Sequence, residues 1–236
     1  MTQLIAVLDQ PDRKAITALV DTLGDLVGWY KVGSIVFSAF GRDVVDELKA
    51  KGKKVFLDLK FHDIPNTVEG SAREACRLGA DMFTLHLLGG EAMVRAAVKA
   101  RNETAPGAKI LGVTVLTSIS ADDLKSVGII RPLDDTVVHL AVQGRKWGVD
   151  AVVCSAKELP VLRPKLPPPF LLVCPGIRPQ AAADDQKRAV TPAEAARAGA
   201  DYIVVGRPVY EAKDPVEVVK RILDDLKQEG SNWLDS

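Results

Sequence analysis

Two textures of apolar residues alternate along the chain. Short runs dense in Val, Ile, Leu and aromatic residues recur about every 25 to 35 positions, and the stretches between them space Leu, Val and Ala like one face of a helix. The runs predict eight strands: Leu4 to Asp9, Trp29 to Gly33, Lys54 to Lys60, Met82 to Leu87, Lys109 to Leu116, Ala151 to Ser155, Phe170 to Pro175 and Tyr202 to Gly206. Most are nearly continuously apolar, as buried parallel strands are.

Helices are expected between the runs, including Asp43 to Ala50, Thr191 to Ala198 and Asp214 to Leu223. The last two open with Thr-Pro and Asp-Pro, an N-cap side chain followed by proline at the first helical position. Gly52, Gly79, Gly148 and Gly199 sit just past helix ends, where a left-handed residue closes the last turn. Repeated strand–helix order implies a parallel sheet. Eight such units with no break in composition predict an α/β fold, a (β/α)8 TIM barrel forming one domain over residues 1–236. An open doubly wound sheet is the alternative, but the first strand runs into Asp9-Gln-Pro-Asp12 and not into a glycine-rich dinucleotide turn. Gln180 to Asp185 reads as a mobile loop, and Arg163 to Pro169 as a stiff connection into the seventh strand.

Charge narrows the function. The 31 basic and 31 acidic side chains cancel, which removes the broad positive field that nucleic-acid binding through phosphates needs, so any anion site is local. No segment is long and apolar enough to span a bilayer, and the first apolar run lacks a basic flank and ends in an acid, so it reads as a strand and not a leader. Neither nucleic acid nor membrane is expected as a partner. Cys76, Cys154 and Cys174 form no C-x-x-C pair, and His62, His86 and His139 lack metal-ligand spacing. Reduced thiols in a cytoplasmic protein, with no metal, are the expectation.

In such barrels the active site lies at the carboxyl ends of the strands. The polar residues closing the apolar runs are Asp9, Lys31, Asp58, Lys60, Asp63, Thr117 and Arg207, an ionic set. Strand alternation puts Asp58 and Lys60 on one face. Two buried charges there cost several kcal/mol each, as an order of magnitude, unless paired. A purely structural Asp-Lys bridge would satisfy them, and Asp63 three residues on shifts the balance toward function. A lysine between two carboxylates is favoured as an ammonium, suited to donate a proton and to stabilise developing negative charge. His62 is expected to serve loop packing, with His86 and His139 packed or solvent-facing. Asn66 with Glu69 resembles a capping box, with Thr67 in the first turn of the next helix. Pro175-Gly-Ile-Arg178 and Val205-Gly-Arg-Pro208 follow strands seven and eight, where barrels of this kind build phosphate sites from glycine amides and a guanidinium.

The chain resembles the orotidine 5′-monophosphate decarboxylase family over nearly its full length. The likeness rests on Asp58-Leu-Lys-Phe-His-Asp-Ile-Pro-Asn-Thr67, which is highly specific, and on Lys31-Val-Gly33, Thr114-Val-Leu-Thr-Ser118, Pro175-Gly-Ile-Arg178, Asp185-Gln186 and Val205-Gly-Arg207. The resemblance implies decarboxylation of orotidine 5′-monophosphate to UMP without a cofactor. It implies Lys60 as the general acid at C6 of the pyrimidine, Asp58 beside the departing carboxylate, and Lys31 and Asp63 completing an alternating chain of charges. It further implies Asp9 on the ribose, Thr117 and Ser118 on the ring, and Arg178, Gln186, Gly206 and Arg207 around the 5′-phosphate, with Gln186 on a closing loop. A homodimer is implied as well, in which Asp63 and Thr67 reach the neighbouring subunit's site. The competing reading is a metal-dependent sugar-phosphate decarboxylase, aldolase or epimerase, because related barrels reuse Asp-x-Lys-x-x-Asp with magnesium and Asp58 and Asp63 could help ligate it.

Overall fold

The structure, a computed structural model, describes residues 1–179 and 190–231. Eight parallel strands close in chain order: β1 (Gln3–Val7), β2 (Trp29–Gly33), β3 (Lys54–Phe61), β4 (Met82–His86), β5 (Lys109–Val113), β6 (Ala151–Val153), β7 (Leu171–Pro175) and β8 (Tyr202–Val205). The β1–β8 ladder, Gln3 to Ala6 against Tyr202 to Val205, makes this a (β/α)8 barrel and rules out the open sheet. The surrounding helices are α1 (Arg13–Leu23), α2 (Ser34–Phe40), α3 (Arg42–Ala50), α4 (Pro65–Arg77), α5 (Gly90–Thr104), α6 (Ala121–Ser126), α7 (Leu133–Trp147), α8 (Leu159–Leu162), α9 (Pro192–Arg197), α10 (Arg207–Tyr210) and α11 (Pro215–Ser231).

Alternation sorts each strand between two cores. Ile5, Val7, Trp29, Phe56, Met82, Leu111, Val173, Tyr202 and Val204 fill the barrel, while their neighbours, such as Tyr30, Val55, Leu57, Phe83 and Leu85, face the helices. Both faces being apolar explains the continuous runs in the sequence, and each fully buried aliphatic or aromatic side chain contributes about 1.5–3 kcal/mol. Trp29 and Tyr202 meet edge-to-face at 5.5 Å near the amino ends of their strands.

The strands stop earlier than the apolar runs do: β1 at Val7, β5 at Val113 and β6 at Val153. Beyond those points the chain rises over the barrel mouth, and residues such as Val115 and Leu116 wall a cavity instead of pairing. The expected caps form at Thr191, which exchanges hydrogen bonds with Glu194, and at Asp214, which accepts the Glu217 N–H at 2.9 Å. Helix α11 continues past Leu223 to Ser231. Gly52, Gly79, Gly148 and Gly199 all have positive φ. The Asn66–Glu69 capping box does not form: α4 starts at Pro65 behind Ile64, which makes no side-chain cap, so Asn66 already lies inside the helix.

Three of these glycines belong to a bracing device at the amino ends of the strands. Asp81, Asp150 and Asp201 each follow such a glycine by two residues and precede β4, β6 and β8. Each carboxylate accepts the N–H of the second residue of the preceding strand, Val55 at 2.7 Å, Ile110 at 2.8 Å and Leu172 at 2.7 Å. Each also pairs with a cation, Lys49, Arg101 and Arg163 respectively. The barrel is thus stitched at every second unit on the face away from the cavity.

Candidate active site

The carboxyl ends of the strands open on a cavity of about 1370 Å³. Phe56, Val113, Val153, Pro175 and Val204 supply apolar wall, and Asp9, Lys31, Asp58, Lys60, Thr117, Arg178, Gly206 and Arg207 supply polar wall.

Four charges run across one side in alternating sign. Lys31, inward on β2 above Trp29, lies 3.2 Å from Asp9 and 3.4 Å from Asp58. Asp58 lies 2.9 Å from Lys60 Nζ through both carboxylate oxygens. The side chains of Lys31 and Asp58 are only 11% and 12% exposed, whereas Lys60 at 37% remains open to the cavity. Burial alone would push the Asp58 carboxyl up. The ammonium groups of Lys31 and Lys60, with hydrogen bonds from Lys60 and Thr84, outweigh burial and hold it below the ordinary carboxylate range.

Strand β3 is not regular where it carries this chemistry. Leu57 pairs with Phe83 and Phe61 with Leu85, so four steps along β3 match two along β4. Two extra residues leave the facing parity intact, which is why simple alternation reached the right side for Asp58 and Lys60 despite the bulge. Lys60 sits inside it with φ at 52°, a left-handed conformation that costs a side-chain-bearing residue about 1–2 kcal/mol. The buried hydroxyl of Thr84 accepts the Lys60 N–H at 2.9 Å and donates to Asp58 Oδ1 at 3.0 Å.

Among the described residues Lys60 pairs with one carboxylate, Asp58, and not with the two read from the spacing of Asp58 and Asp63. Asp63 is exposed on the β3–α4 loop, where its carboxylate accepts the Ile64 N–H, and Thr67 is exposed in the first turn of α4. Neither Asp63 nor Thr67 lines the cavity. His62 stacks on His86 with ring centroids 5.2 Å apart, the packing role anticipated for it, and His139 is exposed on α7. The Cys154 and Cys174 sulfurs lie 3.9 Å apart, one just past the end of β6 and the other on β7, and all three cysteines are unpaired and buried.

Across the cavity, Arg178 follows β7 and Arg207 follows β8. Among the described residues neither guanidinium is held in an ion pair, in contrast to Arg101 and Arg163 at the other end of the barrel. Gly206 lies beside Arg207; a methyl group there would sit 3.4 Å from Val7 and Tyr210. Thr117 reaches the rim and Ser118 is exposed next to it. Gln186, and the loop read at Gln180 to Asp185, lie outside the described residues. Ser155 and Tyr210, which line the cavity, and Thr84, which meets Asp58 and Lys60 from behind it, join the site without being singled out from sequence. Thr84 alone carried a signal, as a polar residue at an inward position of an otherwise apolar strand.

Residues 2–222 match the family model described as orotidine 5′-phosphate decarboxylase / HUMPS family. The chain belongs to this family. Among its orotidine 5′-phosphate decarboxylase relatives, the protein of Geobacter sulfurreducens is 46% identical over 228 residues, covering 95% of each chain. That of Opitutus terrae is 47% identical over 225 residues, covering 95% of this chain and 98% of the relative. The crystal structure of orotidine 5′-phosphate decarboxylase from Lactobacillus acidophilus superposes with a TM-score of 0.86 at 36% identity, over 96% of this chain and 99% of that one. Among the described residues no helix is long and apolar enough to cross a membrane.

Proposed function

We propose that this chain decarboxylates orotidine 5′-monophosphate to UMP and carbon dioxide, the closing step of de novo pyrimidine nucleotide synthesis, with Lys60 as proton donor. The observation that carries the reading is the Asp9–Lys31–Asp58–Lys60 row, which shares one cavity with two guanidiniums that have no ion-pair partner among the described residues. Loss of carbon dioxide from C6 leaves a lone pair in the plane of the ring, which the ring cannot delocalise. The stabilising charge has to come from the protein. An ammonium already fixed beside C6 meets the localised carbanion more strongly than the spread charge of the starting carboxylate, and that difference lowers the barrier. Lys60 then gives a proton to C6, and no cofactor is called for.

In this reading Asp58 flanks the departing carboxylate and orients Lys60, Lys31 keeps Asp58 ionised, and Asp9 holds the ribose. Thr117 and Ser118 contact the ring, while Arg178, Arg207, the Gly206 amide and Gln186 hold the phosphate. Part of the phosphate's binding energy is expressed at the distant carbon once water is excluded. A homodimer supplies Asp63 and Thr67 from the partner subunit. The segments that follow β2, β3 and β4 expose Ile35 at the start of α2, Ile64 just before α4 and Leu88, apolar side chains suited to such an interface. The buried, unpaired thiols suit the reducing cytoplasm.

A magnesium-dependent sugar-phosphate reaction is less well supported. The Asp58 carboxylate already sits between two ammonium groups within 3.4 Å, which repel a divalent cation. The test is the loss of substrate absorbance when purified protein meets orotidine 5′-monophosphate in EDTA. Turnover in EDTA that disappears in Lys60→Ala, while UMP binding persists, supports the assignment. Turnover abolished by chelation and restored by magnesium favours the metal-dependent reading.

A further inference from the structure

We propose that Thr84, which does not border the cavity, is a positioning residue that locks Lys60 and Asp58 into their reactive arrangement through a closed ring of hydrogen bonds. The ring starts and ends on one residue. The Lys60 N–H donates to Thr84 Oγ1 at 2.9 Å, Thr84 Oγ1 donates to Asp58 Oδ1 at 3.0 Å, and Lys60 Nζ donates back to the same Oδ1 at 2.9 Å. The inference rests on the reading of Lys60 as proton donor and adds to it the residue that holds the donor still.

The bulge in β3 creates the need. With two extra residues between Leu57 and Phe61, the Lys60 amide loses the carbonyl that a regular ladder would offer. An unpaired N–H buried at the wall of a barrel is costly, and Lys60 is in addition held left-handed at φ 52°. Thr84 lies inward on β4, between Met82 and His86, and is 0% exposed. Its hydroxyl stands in for the missing carbonyl. A hydroxyl has one proton, and here that proton goes to Asp58, so the lone pair facing Lys60 and the orientation of the carboxylate are set together. An apolar residue of the same shape would pack equally well but could do neither.

A residue that merely filled space would be replaceable by valine, and a residue that merely stabilised the fold would affect binding and turnover alike. Thr84→Val keeps the shape and removes the hydroxyl, and Thr84→Ser keeps the hydroxyl. We expect Thr84→Val to lower kcat for orotidine 5′-monophosphate by about 10- to 100-fold, the scale of a lost hydrogen bond to a charged group. KM and UMP affinity should stay within a few-fold, because the phosphate arginines are untouched, and Thr84→Ser should retain most of kcat. The acid limb of kcat/KM should move to higher pH in Thr84→Val. Lys31, Lys60 and the His86 imidazole are the titratable groups that interact with Asp58 in either protein, and only the hydroxyl that helps keep its carboxyl low is gone.

Wild-type kcat and an unmoved acid limb in Thr84→Val would overturn the proposal, as would equal losses in the valine and serine variants. If the valine variant does not fold, Thr84→Ala against Thr84→Ser decides by the same criterion, and equal kcat values in that pair refute the role. Failure of the wild-type protein to turn over orotidine 5′-monophosphate would instead sink the functional reading itself, so the two failures are distinguishable.

Discussion

Gly33 faces Asp9 so closely that a methyl group on Gly33 would stand 2.7 Å from Asp9 Oδ1, and 2.9 Å from the Lys31 ammonium paired with it. The backbone there is ordinary, with φ at −88°, so alanine meets no conformational penalty; what excludes it is the ion pair. Gly33→Ala is therefore expected to fold with a melting temperature close to wild type while displacing Asp9 and Lys31. Steady-state decarboxylation should show kcat/KM reduced by about 100-fold, the scale of an ångström-sized misplacement of catalytic groups. A variant with full activity would mean that the Asp9–Lys31 contact is dispensable.

The phosphate reading makes a different demand. Arg207 is exposed at the end of β8 and lines the cavity, and no ion pair among the described residues accounts for its charge. Arg207→Ala should leave thermal stability unchanged and reduce kcat/KM by about 10- to 100-fold, as expected for a lost charged hydrogen bond. A melting temperature lowered with kinetics intact would assign Arg207 to the fold instead.

Most of the barrel was legible because its signal is local. Strand runs, Thr191 and Asp214 caps and glycine helix ends each depend on a few neighbouring residues, and all eight strands appear where the apolar runs lie. The charged row was legible in its members and not in its geometry. Asp58 and Lys60 announce themselves as ions on an apolar strand, but the bulge that turns Lys60 left-handed is set by pairing with β4, a long-range relationship. Thr84 was missed for the same reason, since its partners are 24 and 26 residues away. Spacing places Asp63 near Lys60, whereas within one subunit Asp63 is exposed beyond the end of β3, and the cross-subunit placement that the family resemblance implies lies outside what one chain shows. A stronger cue went half used: glycine two residues before Asp81, Asp150 and Asp201 was read as a helix end, while the aspartate is the brace.

That brace predicts a stability effect without a catalytic one. The Asp201 carboxylate holds the Leu172 N–H and the Arg163 guanidinium, which also reaches Gly199, Leu166 and Phe170 carbonyls. Asp201→Ala strands the Leu172 N–H and leaves the guanidinium uncompensated, a loss of about 1–3 kcal/mol. Urea unfolding should report it, with kcat per folded molecule unchanged because the site is at the other end of the barrel. Unaltered urea stability would show that water replaces the carboxylate without penalty.

The His62–His86 stack couples the fold to pH. Burial, then the charges of His62 and Lys60, push the His86 imidazole below its ordinary range, with Asp58 opposing only in part. The unfolded chain, titrating near about 6.5, then binds protons more readily than the folded one. Stability is full at high pH, begins to fall as pH drops through that unfolded value, and stops falling once pH is below the folded value. Asp58 works in another window: its folded value is lowered, so its contribution is present above the ordinary carboxylate range, about 3.9, and is lost only as pH falls through its folded value. His86→Asn should therefore flatten the urea-stability slope between pH 7.5 and 5.5, two conditions set by the histidine window. Identical slopes in variant and wild type would contradict the coupling.

Asp63 tests the dimer. It is exposed within its own chain, beside Ile64 at 66% exposure, and it is not among the ion-pair partners of Lys60. If a partner subunit delivers it, Lys60→Ala and Asp63→Ala are each impaired as pure proteins but complement each other when mixed and allowed to re-pair. A hybrid dimer carries both lesions in one site and neither in the other. Random pairing makes half the dimers hybrids, so about a quarter of wild-type turnover should return. Thr67→Ala mixed with Lys60→Ala should behave in the same way. Were Asp63 to act within its own chain, every hybrid site would carry one lesion and mixing would restore nothing beyond the sum of the two variants, so recovery on mixing reads the geometry of the interface directly from kinetics.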